Sequence, residues 1–261
     1  MPSLQFGFQS WGNPASTKRA LLLHGLMGTG GVWFKVAQIL VAQGHGWAPH
    51  SPIYSVKTVT QHLADNLKDQ DIPYEVIAGV SWGSSFAAAL YSLLPDNQKP
   101  KRLVMAEPIM DYGPRSQADV DRMLNTTKDI PTEESILKAN PNWIRAEAIL
   151  RRLSLSLIDP QVIVQLSDAM GSGDFSHSNL IPSQSSSKST EIIILAADPD
   201  VKTVYPYSNA KRLEADFPHV KFGWVKKATH DMHKTDSGVL AKVILNGFDG
   251  AEQAGVTVLR P

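Results

Sequence analysis

Five short apolar runs punctuate the chain: RALLLHG (19–25), YEVIAGV (74–80), KRLVMAE (101–107), EIIILAA (191–197) and VKFGWV (220–225). Each is bounded by turn residues and shows little polar alternation. Such runs predict strands buried on both faces, as in a parallel sheet. LQFGFQSW (4–11) alternates more and predicts an antiparallel edge strand. Between the runs lie helical patterns over 32–43, 58–69, 84–94, 210–217 and 238–248. Strand alternating with helix predicts an α/β fold around a mostly parallel sheet.

The alternation stops between 108 and 190. SQADVDRMLNTT, PTEESILKAN, NWIRAEAILRRL and DPQVIVQLSDAM read as helices with polar joints, and GSGDFSHSNLIPSQSSSKST reads as a loose linker back to the sheet. The expected organisation is a core formed by 1–107 and 191–261, with a helical insertion at 108–190. The terminal GAEQAGVTVLRP reads as a tail or short edge element.

Composition narrows the chemistry. The 261 residues are 43% hydrophobic and 19% charged, enough for a full core. Lys+Arg and Asp+Glu are both 25, and no basic stripe points to nucleic acid or to a membrane surface. With no cysteine, disulfides, thiolate metal sites and a cysteine nucleophile are excluded. The N-terminus does not read as a signal peptide, and no apolar stretch approaches the roughly 20 residues of a membrane span. A soluble cytoplasmic protein is the expectation.

VIAGVSWGSS carries the candidate chemistry. Gly79-Val80-Ser81-Trp82-Gly83 follows an apolar strand and precedes the helix-forming FAAALYSLL. A strand, a tight turn and a helix are what a nucleophile elbow needs: the turn exposes the hydroxyl, and the helix N-terminus favours developing negative charge. Ser81 needs a base. Of the eight histidines, His230 sits in a loop after the last apolar run and before the final helix, with His233 as rival. His230-Asp231-His233 is poorly spaced for metal, and no third ligand is evident, so no metal site is expected. Upstream, HGLMGTGG places Leu26 where its amide, with that of Trp82, could hold an oxyanion. That loop lacks the lysine of a phosphate-binding loop, and no acidic residue suited to a dinucleotide site follows the next strand.

LLLHGLMG, GVSWGSS, the acidic strand ends and ATHDMHK, in that order, resemble the α/β-hydrolase fold over nearly the whole chain. The resemblance implies an eight-stranded, mostly parallel sheet flanked by helices, with a helical cap (lid) after the sixth strand. It puts Ser81 on the nucleophile position, His230 on the base position, and Leu26 and Trp82 on the oxyanion positions. HGWAPHSPIYSVKT departs from the glycine- and aspartate-bearing loop of many relatives. The triad acid has three candidates. Asp198 and Asp200 follow the seventh-strand candidate, the commonest site in the superfamily. Glu107 ends the sixth, where haloalkane dehalogenases and zearalenone lactonases of this fold carry theirs. Loop position favours Asp198 over Glu107, and Glu107 over Asp200.

The expected activity is serine hydrolysis of a small apolar ester or lactone through a Ser-His-acid triad and an acyl-enzyme, with no cofactor. Trp82, Met110 and Trp143 are expected pocket residues. Two other outcomes use the same residues: a lactone-forming cyclase, in which an internal hydroxyl accepts the acyl group, and a small-molecule receptor with little turnover. ADPDVKT also resembles a D-x-D phosphatase signature, but Lys202 stands where a threonine or valine is expected. The reading leaves a homodimer open.

Overall fold

The structure is a computed structural model that describes residues 11–13, 15–42, 46–50, 56–67, 73–184, 189–201 and 203–260. Seven strands form one sheet: β1 (Arg19–Leu23), β2 (Gly46–His50), β3 (Val76–Val80), β4 (Arg102–Ala106), β5 (Glu191–Ala197), β6 (Lys221–Val225) and β7 (Val256–Arg260). Their order is β2-β1-β3-β4-β5-β6-β7. The first six are parallel, and β7 closes the edge antiparallel to β6. The eight strands expected are therefore seven among the described residues. The edge strand expected at 4–11 falls almost wholly outside them.

The apolar runs lack polar alternation because both faces of the sheet are covered. Along β5, Ile192, Ile194 and Ala196 enter one core and Ile193, Leu195 and Ala197 the other. Each fully buried Leu or Ile contributes about 2 kcal/mol. Helices α1 (Phe34–Ala42), α2 (Val56–Leu67) and α3 (Trp82–Leu93) come from the first half of the chain. Val36 and Leu40 of α1 pack on one face; Leu63 of α2 and Phe86 of α3 pack on the other.

Between β4 and β5 the chain forms α4 (Gln117–Lys128), α5 (Glu133–Ala139), α6 (Arg145–Leu157), α7 (Pro160–Gly171) and the short α8 (His177–Leu180). Side-chain caps explain where three of them start. Ser116 accepts from the Asp119 amide at 3.2 Å, Thr132 from Ser135 at 3.2 Å and Asp159 from Gln161 at 2.9 Å. Residues 160–171 also begin with proline, which fits the first helical position.

The linker expected to be loose is partly ordered: Phe175, His177, Leu180 and Ile181 are buried. His177 pairs with Asp111, and its Nε2 lies 2.6 Å from the Tyr205 hydroxyl. Residues 185–188 of that linker lie outside the described residues. After β5 come α9 (Tyr207–Asp216), α10 (Met232–Thr235) and α11 (Ser237–Asn246), and Leu240 and Ile244 of α11 join α1 on its face of the sheet.

Candidate active site

Parallel strands deliver all their carboxyl ends to one edge, and the register sets these ends side by side. Leu23 of β1 pairs with Gly79 of β3, Val80 of β3 with Ala106 of β4, and Ala106 with Leu195 of β5. The residues after these strands therefore converge. Ser81 follows β3 with φ 57° and ψ −126°, Glu107 follows β4 with φ 51°, and Met27, just beyond β1, has φ 57°. Non-glycine residues rarely occupy this region, and such strain concentrates at functional sites.

The elbow is held tightly. The Ser81 amide donates to the Ala106 carbonyl at 2.9 Å, and the Ser84 hydroxyl donates to the same carbonyl at 2.9 Å. Ser85 donates to the Ile109 carbonyl at 2.8 Å. Both flanking glycines are sterically required. A Cβ on Gly83 would stand 2.2 Å from the Leu23 carbonyl oxygen, and one on Gly79 would stand 2.2 Å from the Gly83 carbonyl oxygen. The start of α3 can thus press against the end of β1 only because position 83 has no side chain.

His230 lies in the loop between β6 and α10. Its Nδ1 is 3.1 Å from Glu107 Oε2. Glu107 is fully buried and accepts three further hydrogen bonds: from the Ala197 amide (2.7 Å), the Thr203 hydroxyl (2.6 Å) and the Val204 amide (2.8 Å). Burial alone would raise its pKa. The bond and charge of His230, with the Thr203 and Ala197 bonds, outweigh burial and hold the carboxyl below its ordinary value. An ionised carboxylate only accepts, so His230 carries its proton on Nδ1 and presents Nε2 as the free basic nitrogen.

Asp198 stands apart from His230, and the preference for it is corrected. Its oxygens accept from the Lys227 amide at 2.7 Å and the Asp200 amide at 3.0 Å. Those two bonds lower its pKa, as expected of a carboxylate that closes a surface loop. Asp200 is exposed and contributes its amide to that turn. His233 is buried, its ring centroid 6.1 Å from that of Trp33 and its Nδ1 without a hydrogen-bond partner among the described residues. Burial pushes its pKa well below the ordinary value.

A cavity of about 510 Å³ opens over Ser81, Trp82, Leu26 and His230. Residues from α4, α5 and α6 line its far side, among them Met123, Ile136 and Leu150. The Gly28 amide closes a turn onto the Gly25 carbonyl at 3.1 Å, and Leu26 sits within that turn. Trp82 is buried, with an edge-on contact to Phe175 at 4.6 Å between centroids. Trp143 also lines the cavity, with Lys234 Nζ 3.4 Å from its ring centroid. Met110 does not line it. This residue is fully buried in the core beneath, because it follows β4 on the inward side.

Sequence reasoning missed several contributors. Thr203 and Val204, which fix Glu107, were visible only as the end of ADPDVKTV. Arg115, Glu147, Arg151, Asp231 and Lys234 give the cavity a charged side, whereas the sequence suggested an apolar one. Arg151 reaches from α6 to the Met27 carbonyl at 3.1 Å. Among the described residues no group of three or more His, Asp or Glu side chains is arranged to hold a metal ion. No helix of the described residues is long and apolar enough to cross a membrane.

No family model matches the chain. Lipase LipV of Mycobacterium tuberculosis (strain ATCC 25618 / H37Rv) is 29% identical over 140 residues, which cover 50% of this chain and 53% of the lipase. The match thus spans about half the length of that curated relative. Similar solved structures cover nearly all of the chain. The thioesterase domain from the curacin biosynthetic pathway has a TM-score of 0.70 at 17% identity, covering 93% of this chain and 95% of the domain. The esterase EaEST from Exiguobacterium antarcticum has a TM-score of 0.70 at 11% identity, covering 92% and 94%. A bromoperoxidase from Bacillus anthracis has a TM-score of 0.67 at 15% identity, again covering 92% and 94%. At these identities the likeness is one of fold.

Proposed function

This chain has the α/β-hydrolase fold, and from that premise we propose that it is a serine hydrolase of small carboxylic esters or lactones. The observation that carries the reading is the fully buried Glu107 carboxylate held against His230 Nδ1, in a loop lining the same cavity as the strained Ser81. The lipase and esterase names among the similar proteins support the same class.

In the proposed reaction Ser81 Oγ attacks the ester carbonyl carbon, and its proton passes to His230 Nε2. Glu107 keeps the ring in the required tautomer and stabilises the imidazolium. The amides of Leu26 and Trp82 receive the tetrahedral oxyanion; that of Trp82 opens α3, where the first amides have no intrahelical acceptor. Collapse breaks the bond to the leaving oxygen, which takes the proton from His230. Water then attacks the acyl-enzyme by the same route, releasing the acid and restoring Ser81. Among the described residues Ser81 Oγ and His230 make no hydrogen bond to each other. Such contacts often tighten only when substrate binds.

Val80, Trp82, Ile109 and Val204 supply an apolar wall for the uncharged part of the substrate. A smaller cavity of about 280 Å³, lined by Leu26, Trp82, Phe86, Leu157, Val162 and others, adjoins the same loop and suits an acyl chain. Labelling with a fluorophosphonate probe, followed by mapping of the modified residue, tests the reading. Modification at Ser81, with loss of 4-nitrophenyl butyrate turnover in Ser81→Ala, is the expected result. Labelling at another residue, or full activity in that variant, overturns it.

A further inference from the structure

The cavity over Ser81 carries more positive charge than its own carboxylates neutralise. Five charged side chains line it beside His230 and His233: Arg115, Arg151 and Lys234 against Glu147 and Asp231. Both carboxylates are already engaged. Glu147 pairs with Lys35 at 2.7 Å, and Asp231 pairs with Lys234 at 2.8 Å. Lys234 is further occupied by the Trp143 ring.

The two arginines have no such partner. Among the described residues neither forms an ion pair. Arg115 Nε donates to the Met170 thioether at 3.3 Å, a weak acceptor. Arg151 donates through Nη1 to the Met27 carbonyl at 3.1 Å and through Nη2 to the Met27 thioether at 3.5 Å. Both guanidinium groups are half-buried, and burial pushes their pKa values down. Asp119 acts on Arg115 and Asp231 on Arg151 only through space, without a salt-bridge contact, so burial still outweighs them, and a ligand carboxylate docked on the guanidinium forks relieves that cost. Arginine presents a planar fork that matches a carboxylate, which a lysine does not.

We infer that the substrate of this site is an ester that also bears a free carboxylate, taken up by the arginines, Arg115 and Arg151, that line the cavity. The inference rests on the ester-hydrolase reading and specifies its substrate class. It replaces the uncharged substrate expected from an apolar pocket with a molecule apolar at the reacting end and anionic at the other.

The test compares mono(4-nitrophenyl) adipate with 4-nitrophenyl hexanoate, which has the same chain length but no carboxylate. The wild-type protein is expected to show a kcat/KM at least about tenfold higher for the adipate ester. The ratio between the two esters should collapse in Arg115→Gln and recover in part in Arg115→Lys, with unchanged melting temperatures showing that both variants fold. Arg115 is the residue to change, because Arg151 also holds Met27. Equal or faster turnover of the hexanoate ester by the wild type overturns the inference, as does a ratio that Arg115→Gln leaves intact. If neither ester is hydrolysed, the ester-hydrolase reading fails, and a calorimetric titration decides the anion site separately. Binding of free adipate but not adipamide, lost in Arg115→Gln, supports the site. No binding of adipate by the wild-type protein overturns it.

Discussion

Glu107 and His230, 123 residues apart in the chain, meet at 3.1 Å through Oε2 and Nδ1. Asp198, at the end of the neighbouring strand, spends its carboxylate on two backbone amides of its own surface. The two carboxylates should therefore respond very differently to neutralisation. Glu107→Gln is expected to lower kcat by about 10⁴, the scale seen when a triad acid can no longer fix the tautomer. Asp198→Asn should leave kcat within about threefold, because loop closure tolerates an amide in place of a carboxylate. Ester turnover by both purified variants checks this; the reverse order would restore Asp198 as the acid.

Gly83 should be intolerant of any side chain. Alanine there would drive a methyl group to 2.2 Å from the Leu23 carbonyl oxygen and 2.6 Å from that of His24. Both atoms are backbone and cannot swing away. Gly83→Ala is expected to cost about 3 kcal/mol or more by overpacking. Urea unfolding of the variant reads this directly, and a midpoint near the wild-type value would contradict the packing argument.

Arg151 ties α6 to the loop that carries Leu26. Its bond to the Met27 carbonyl helps hold a residue at φ 57°. Arg151→Met removes that tie, and a small displacement of an oxyanion donor can lower kcat by up to about a hundredfold. The expected signature on a neutral ester is a fall in kcat with little change in KM, since the amide acts on the transition state. A pure rise in KM would assign Arg151 to substrate binding alone.

Acidification should weaken the fold before carboxylates of ordinary pKa begin to titrate. His24 and His233 are buried, and burial sets their folded pKa values below the ordinary 6.5. The unfolded chain therefore takes up protons first. Stability is complete above about pH 6.5 and is lost as pH falls toward the lower folded values. A second loss follows from Asp231, which burial would raise but which the charge and hydrogen bond of Lys234 help bring down to about 2. Its contribution is present above its ordinary 3.8 and disappears as pH falls toward 2. Melting temperatures from pH 7.5 downward should decline from about pH 6.5, and less steeply in His233→Gln. A flat profile between pH 6.5 and 5 would contradict the assignment of neutral, buried histidines.

The sequence was most readable where the physics is local. Ser81 and His230 stood out because a strand, a turn and a helix are continuous in the chain, and their chemistry depends on that continuity. The five apolar runs matched strands for the same reason. The carboxylate that meets His230 was not legible. Glu107 and Asp198 end adjacent strands, and both could face the same histidine. What separates them is the positive φ at Glu107 and the amides of Ala197 and Val204, neither visible in a one-dimensional pattern. Met110 illustrates a related ambiguity, since an apolar residue beyond a strand end can turn into the core or the cavity. Nothing in the pattern marks Arg115 or Arg151 as facing the cavity, because sequence does not reveal what a helix covers.

Glu107 is also the first residue after β4, at the start of the segment that leads to the helices between β4 and β5. Ser81 precedes that junction and His230 follows the return, so exchanging the helices would replace chain between these two residues while leaving both on the sheet core. The graft point is nonetheless constrained. Ser85 is anchored to the Ile109 carbonyl, and Asp111 pairs with His177 on the far side of the insertion. A replacement segment must keep the chain through Asp111 and restore a partner for it. An exchangeable segment would thus run between Asp111 and His177, a window that spans α4 to α7 and includes Arg115 and Arg151.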